Sequence, residues 1–445
     1  MSFWIAAALW AQGADTDAET WYRLCLRAET TSDWLALELR NVSGFWVDRQ
    51  EVRTGAGVKV VEGPLRLAKP PGDTHPACLS AVVYLELSGQ GNPELEVTRG
   101  SLGRADIEIT GVGRFTHDVP TGEGTNRRVF PLDARAIRAL GAKPLDAQPR
   151  PVEKLALAFY YPWYGSPNGP SGRWVHWEPD RGHASRHTPI LGFYDSQDER
   201  ILRKHIEWAQ EAGLDGFIVS WWGPGSFEDR VLRKLIPLAA ERNFRVTAYL
   251  ERSEGSASLG EDRAYLLKQY GDSSAWLRIG AQPVLFVYTR VVESRTAEEF
   301  ERSRGDAILV LDTFGVSLGR AGGGLHTYCP AFQDLEALRI LYRGARAASR
   351  RYGLVFAATV VPGYDDTVLR HPGGRRSRER GRLYDAFWET ALGADPDWIL
   401  VCSWNEWHEG TEIEPSVENG DRELRRTAEW IRRWKGAAEN CRAGR

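Results

Sequence analysis

The chain has 445 residues, 42 % hydrophobic and 26 % charged, which are globular proportions and exclude collagen-like or disordered sequence for its bulk. Its 57 basic and 60 acidic residues leave a net charge of −3, so no overall positive field is available to hold a nucleic acid. The length exceeds one small core and points to two domains, or to one large barrel with an appendage. Eighteen tryptophans stand against a single methionine, so the positions of these large flat rings matter.

Residues 1–19 read as a signal or a flexible terminus. The apolar run Ser2 to Trp10 is followed by Ala11-Gln12-Gly13, a small-x-small ending, but no basic residue precedes it. A functioning signal makes the protein secreted or periplasmic; without one a cytoplasmic location stays open. No run reaches the roughly 20 apolar residues of a membrane span. Only eight of the basic residues are Lys, a bias that suggests a GC-rich bacterial genome.

Residues 20–145 read as a β-sandwich-like accessory domain. Short apolar or alternating runs at 34–39, 58–61, 79–87, 94–98, 106–110 and 128–132 are separated by Gly, Pro, Asn and Asp clusters. Trp34 and Trp46 are candidates for a glycan-binding face, with core packing the favoured role. Cys25 and Cys78 are placed to pair if the protein is exported. No CxxC spacing occurs, which argues against a zinc or redox motif, and Cys402 reads as a buried thiol. Residues 146–153 are Pro-rich and aperiodic and form the predicted linker.

From 154 to 445 apolar β runs alternate with helical segments. Eight strands are predicted at 154–160, 214–220, 244–250, 283–288, 307–312, 325–329, 354–361 and 398–403. Helices are predicted at 196–212, 228–242, 333–351, 382–393 and 421–436, the first opened by a capping box, Ser196-x-x-Glu199. Eight strands each followed by a helix or long loop define a (β/α)₈ barrel. An open doubly wound sheet is the alternative, but no GxGxxG or P-loop follows any strand.

Barrel chemistry sits at the carboxyl ends of the strands. Those ends carry Tyr160, Tyr161 and Trp163, then Trp221 and Trp222, Glu251, Tyr288, Asp312, Tyr364 to Asp366, and finally Trp404-Asn405-Glu406-Trp407-His408-Glu409. Aromatic faces stack on the C–H faces of sugars, and carboxylates and amides bind hydroxyls, so this set suits a carbohydrate cleft. Gly and Pro neighbours place Trp163, Trp222, Trp404 and Trp407 on loops of the cleft; Trp208, Trp398, Trp430 and Trp434 read as core. Glu406 and Glu409, three apart after the last strand, can both face the mouth. Glycoside cleavage needs such a pair, one carboxyl to protonate the leaving oxygen and one opposite it. ExxE also occurs in ordinary solvated loops; Asn405, Trp407 and His408 crowding the same loop favour the functional reading. His408 could instead join Glu406, Glu409 and Asp312 or His326 around a metal, but neither HxH nor HExxH spacing occurs, so no metal and no cofactor are expected. No GxSxG is present for serine catalysis.

Five segments occur in order: Tyr160-Tyr161-Pro162-Trp163-Tyr164-Gly165; Trp174-x-His176-Trp177; Ala212-Gly213-Leu214-Asp215-Gly216 with Ser220-Trp221-Trp222-Gly223; Val361-Pro362-Gly363-Tyr364-Asp365-Asp366-Thr367; and Trp404-Asn405-Glu406-Trp407-His408-Glu409-Gly410-Thr411-Glu412-Ile413-Glu414-Pro415. Together they resemble glycoside hydrolase family 99, the endo-α-mannosidase family, over residues 155 to 438. The resemblance implies a (β/α)₈ barrel that cleaves within α-mannose-containing chains with retention. It implies that Glu406 is the base acting on the sugar's own 2-hydroxyl, through a 1,2-anhydro sugar, and that Glu409 is the acid and then the base for water. It also implies that Tyr160, Tyr161, Trp222 and Tyr288 line the subsites and that Glu251 binds substrate hydroxyls. The chain departs from the family's pattern at Glu412, at Arg252 and in the Gly-rich stretch 312–326, which bears on mannan specificity more than on the pair. The alternative is a non-catalytic carbohydrate-binding or surface-scaffold protein on the same barrel, which would have no need of two inward acids.

Overall fold

The computed structural model describes residues 20–60, 65–89, 91–100, 103–118, 127–143, 145, 150–252 and 259–443. The expected leader at 1–19 and the first half of the expected linker lie outside the described residues. The chain divides into two compact units, one up to Asp146 and one from Ala147 on.

The first unit holds two antiparallel sheets. The six-stranded sheet runs Gly57–Val60, Val42–Thr54, Ala77–Leu87, Trp21–Thr30, Arg104–Ile109, Gly113–Asp118; the four-stranded one runs Arg127–Pro131, Glu94–Arg99, Trp34–Arg40, Arg66–Ala68. Buried and exposed residues alternate along Trp21–Thr30 and Trp34–Arg40, the period of sheets with one covered face. Trp46 is core, stacked on Tyr84 at 4.6 Å, whereas Trp34 keeps 38 % of its surface exposed. The Cys25–Cys78 pairing is not made, and both thiols are free. The register sets Cys78 opposite Glu29 and Cys25 opposite Val82. That four-residue offset separates the two by about 13 Å along the ladder, twice the reach of a disulfide.

The second unit is a closed barrel of eight parallel strands: Leu155–Tyr160, Gly216–Trp221, Arg245–Leu250, Gln282–Val287, Ile308–Asp312, Gly323–His326, Val355–Val360 and Trp398–Val401, the last pairing back on the first. All eight predicted strands are present. The sixth starts two residues early because the Gly-rich stretch is not a loop; it folds as a helix, Val316–Gly322, running straight into the strand. Glycine is needed there for close approach. A Cβ at Gly322 would lie 2.6 Å from the Leu309 carbonyl oxygen, and one at Gly324 would press on Val310 and Val355 at 3.1 Å. The helix after strand one, Glu199–Glu211, begins one turn later than predicted, capped by Asp198 accepting from the Arg200 N–H instead of by Ser196.

Strand residues alternate between two cores. Leu155, Leu157, Phe159, Ile218, Tyr249, Phe286, Val310, Ala357 and Leu400 fill the barrel interior. Ala156, Ala158, Tyr160, Phe217, Val219 and Trp221 face the surrounding helices. This parity decides which strand-end residues can reach the mouth. Among the described residues no helix is long and apolar enough to cross a membrane.

Candidate active site

The loop after strand eight is fixed from below. Asn405 is fully buried; its Oδ1 accepts from the Tyr161 N–H at 2.7 Å, and its Nδ2 donates to the Tyr161 carbonyl and the Tyr194 hydroxyl, both at 3.0 Å. Every amide group is thereby engaged, so Asn405 staples this loop to strand one and is not free to bind substrate. Trp407 is likewise buried, its Nε1 donating to Glu414 at 3.2 Å and to Tyr194 at 3.3 Å. Tyr160 faces the helices, where its hydroxyl meets His205 Nδ1 at 3.0 Å, while His205 Nε2 meets Glu414 at 3.0 Å. These three expected substrate contacts are therefore structural. Trp177, Trp221 and Trp404 are also buried, and Trp221 donates to Asp229 on a surrounding helix. Of the four tryptophans expected on loops of the cleft, Trp163 and Trp222 keep accessible surface, as does Trp174 of the second segment.

Above that staple the loop presents its two glutamates with different partners. The Glu406 N–H donates to Ser403 Oγ at 2.7 Å, and its Oε1 accepts from the His408 N–H at 3.1 Å. His408 Nε2 lies 2.7 Å from the His176 carbonyl, which can only accept, so that nitrogen carries the proton. Its Nδ1 lies 3.9 Å from Glu406. Burial pushes the His408 pKa down to about 4, so the imidazole beside Glu406 is neutral at pH 7. This histidine is committed to orienting the loop. Trp163 stacks on His176 at 4.8 Å and on His408 at 5.7 Å, extending that flank.

Glu409 sits against the loops that follow strands six and seven. Its Oε1 accepts from the Tyr364 hydroxyl at 3.3 Å and from Arg370 at 3.2 Å, and its Oε2 accepts from the Tyr328 hydroxyl at 3.4 Å. Arg370 and the Tyr364 hydroxyl are in turn held by Asp366, at 2.6 and 2.9 Å. Arg370, Tyr328 and Asp366 were not singled out from the sequence. Tyr328 lay within the predicted sixth strand, and Arg370 lies in a loop without any motif; Asp366 stood in the fourth segment, but nothing there distinguished it as a brace.

Glu251 completes the cluster. It is 6 % exposed, and its Oε1 has no hydrogen-bond partner among the described residues. Burial, then the charges of Glu409 and Glu228, push its pKa up to about 8, against the Ser220 hydrogen bond that lowers it. Burial also raises Glu406, where Glu409 and Glu251 add repulsion, and it raises Glu409 against the pull of Arg370. Glu251 therefore holds at neutral pH a proton that a separate carboxylate would have lost. Tyr161, Tyr288, Tyr328 and Tyr364 surround it, with Tyr161 in the field of all three acids. Trp222 is 37 % exposed and donates to Ser220 at 3.0 Å. Asp312 is drawn away from the pair, accepting from the N–H groups of Tyr328 and Thr289. Among the described residues no three His, Cys, Asp or Glu side chains converge as a metal centre requires.

The Glu251 shift carries a stability consequence with a definite sign. Between pH 4.5 and about 8 the folded protein keeps a proton on Glu251 that the unfolded chain has lost. The stability from that raised pKa is complete below pH 4.5 and disappears as pH rises through 8. Its full size is on the order of a few kcal/mol. Glu251→Gln removes the titration, so its Tm relative to wild type should climb between pH 5 and pH 8.5. An unchanged Tm difference across that range would contradict the burial assigned to Glu251.

The family model for Glycosyl hydrolase family 99 matches residues 151–302 and 339–427, more than half of the chain. Among curated proteins, a mouse glycoprotein endo-alpha-1,2-mannosidase is 24 % identical over 378 residues, covering 73 % of this chain and 80 % of that one. A mouse glycoprotein endo-alpha-1,2-mannosidase-like protein is 25 % identical over 331 residues, 62 % and 73 % of the two chains. Among solved structures, the GH99 endo-alpha-mannosidase of Bacteroides thetaiotaomicron superposes with a TM-score of 0.58 at 26 % identity, covering 64 % of this chain and 99 % of that one. The matched region takes in all five ordered segments and both glutamates of the barrel mouth, and the chain belongs to glycoside hydrolase family 99.

Proposed function

We propose that this glycoside hydrolase is a retaining, endo-acting enzyme that cleaves α-mannose-containing glycans, with Glu406 as base and Glu409 as acid. The observation that carries this reading is the pair itself: two nearly buried carboxyls on one loop, one beside a neutral histidine and the other held by two tyrosine hydroxyls and an arginine. The mannosidase names of the relatives support the substrate class.

In the first step Glu406 takes the proton of the sugar's 2-hydroxyl. O2 attacks C1, the bond from C1 to the leaving oxygen breaks, and Glu409 gives its proton to that oxygen. In the second step Glu409 takes a proton from water, whose oxygen attacks C1. The C1–O2 bond opens and Glu406 returns its proton to O2. Two inversions at C1 give retention. Burial raises both carboxyls, Glu406 the further: once ionised, Glu406 is a stronger base than an exposed carboxylate, and Glu409 holds its proton to a higher pH than an exposed carboxyl would. Surrounding Tyr161, Tyr288 and Trp222 offer faces to the sugar, and Glu251 offers a hydroxyl an oxygen that has no partner among the described residues.

The reading is checked by incubating the protein with a panel of α-mannans and α-glucosylated mannans. Release of oligosaccharides by internal cleavage is expected. Release of monosaccharide alone, or no cleavage of any member, would contradict it.

A further inference from the structure

Phe332, in the loop after strand six, takes no part in the reaction described above. It keeps 59 % of its surface exposed, an unusual exposure for a large apolar ring. A single exposed aromatic ordinarily requires no explanation. This one differs because its turn is built from both sides. Arg376 Nη1 donates to the carbonyls of Ala331 at 2.8 Å and Gln333 at 2.9 Å, the residues flanking Phe332. The Gln333 N–H closes the same turn on the Pro330 carbonyl at 2.9 Å.

The ring itself is seated. Its edge meets Tyr364, with centroids 5.0 Å apart at 67°. Gly374 makes room for it: a Cβ there would lie 2.7 Å from Phe332 Cζ. The Gly374 N–H donates at 2.6 Å to Asp366, the same carboxylate that holds Arg370 and the Tyr364 hydroxyl. Phe332 is thus coupled through Tyr364 to Glu409, whose Oε1 lies 3.3 Å from the Tyr364 hydroxyl. Arg370 stands half exposed at the same place. Glu406 borders the opposite flank, formed by His408, His176 and Trp163.

A fixed, exposed ring beside a half-exposed guanidinium has the chemistry of a sugar platform: the ring face takes pyranose C–H groups and the cation takes hydroxyls. We propose that Phe332, with Tyr364 and Arg370, forms an outer subsite on the leaving-group side of the cleft that stacks a pyranose ring of the glycan chain. The side assignment rests on Glu409 being the acid, since the acid faces the departing oxygen.

The deciding experiment compares wild type, Phe332→Ala and Phe332→Trp on two substrates: an α-manno-oligosaccharide with several sugars beyond the cleaved bond, and an aryl α-mannoside with none. An aromatic contact is worth about 0.5–1.5 kcal/mol, or roughly two- to tenfold. For Phe332→Ala, kcat/KM on the oligosaccharide should fall by that factor relative to the aryl substrate, and Phe332→Trp should restore the ratio. An unchanged ratio would overturn the platform, whether both rates fall together or neither does. If wild type cleaves neither substrate, the mannosidase reading fails, and calorimetric titration with the same oligosaccharide decides the platform separately. Weaker binding by Phe332→Ala supports it; equal affinity, or no binding by either protein, overturns it.

Discussion

Glu409→Gln should lower kcat on an α-mannoside with a poor leaving group by about 10²- to 10⁴-fold, the usual contribution of a placed general acid. The amide keeps the shape of the side chain: with its oxygen in the Oε1 place it still accepts from Tyr364 and Arg370, and its NH2 can donate to the Tyr328 hydroxyl oxygen, so the pocket is preserved. It has no acidic proton to give, and the leaving oxygen must depart as an alkoxide. An activated aryl leaving group needs no such proton, so the first step should be largely spared with that substrate. Substrate binding, measured by calorimetry, should persist. Wild-type turnover on the poor leaving group would remove Glu409 from the acid's role.

Glu406→Gln should be at least as damaging, and its loss should not depend on the leaving group. In the proposed mechanism the base acts on the sugar's own hydroxyl, and that need is the same whatever group departs. The protein should not be weakened by the change. A glutamine at 406 still accepts from the His408 N–H, and it relieves a carboxylate whose ionisation burial and two neighbouring acids oppose. The expected result is a Tm at pH 8 equal to or above wild type, together with a kcat loss of about 10²-fold or more on both activated and unactivated substrates. Recovery on the activated substrate alone would mean that Glu406 is the acid and that the two roles are exchanged.

The barrel was legible because its strands are apolar runs of the right length, separated by helical periods. The same property hid the orientation of their ends. Parallel barrel strands are covered on both faces, so Leu155–Tyr160 reads as six apolar residues with no alternation to say which point inward. Tyr160 and Tyr161 therefore read as equals, and the structure separates them, one against His205 and the other in the field of the acids. Trp221 and Trp222 divide in the same way, across Asp229 and Ser220. In the first unit, Val42–Thr54 escaped notice because Asp48, Arg49 and Glu51 interrupt its apolar pattern on the solvent side, and its bulges break the period further. The placement of Glu406 and Glu409 on one loop at the barrel mouth was legible from spacing and neighbours. The brace on Glu409 was not, because Tyr328 comes from the loop after strand six and Asp366 and Arg370 from the loop after strand seven, and only the closed barrel brings the two loops to Glu409. The tryptophan excess turns out to serve two purposes. Trp177, Trp221, Trp404 and Trp407 hold the loops of the mouth in place, and Trp163, Trp174 and Trp222 are left to offer surface.

The central claim is that the sugar's own 2-hydroxyl, with its proton taken by Glu406, displaces the leaving group. The most direct measurement is turnover of a good α-configured substrate from which the 2-hydroxyl of the cleaved sugar has been removed. The account predicts binding as an inhibitor and no turnover, because neither the nucleophile nor the proton for Glu406 is present. Turnover near that of the parent substrate, with a sugar trapped covalently on Glu406, would contradict it and make Glu406 the nucleophile itself.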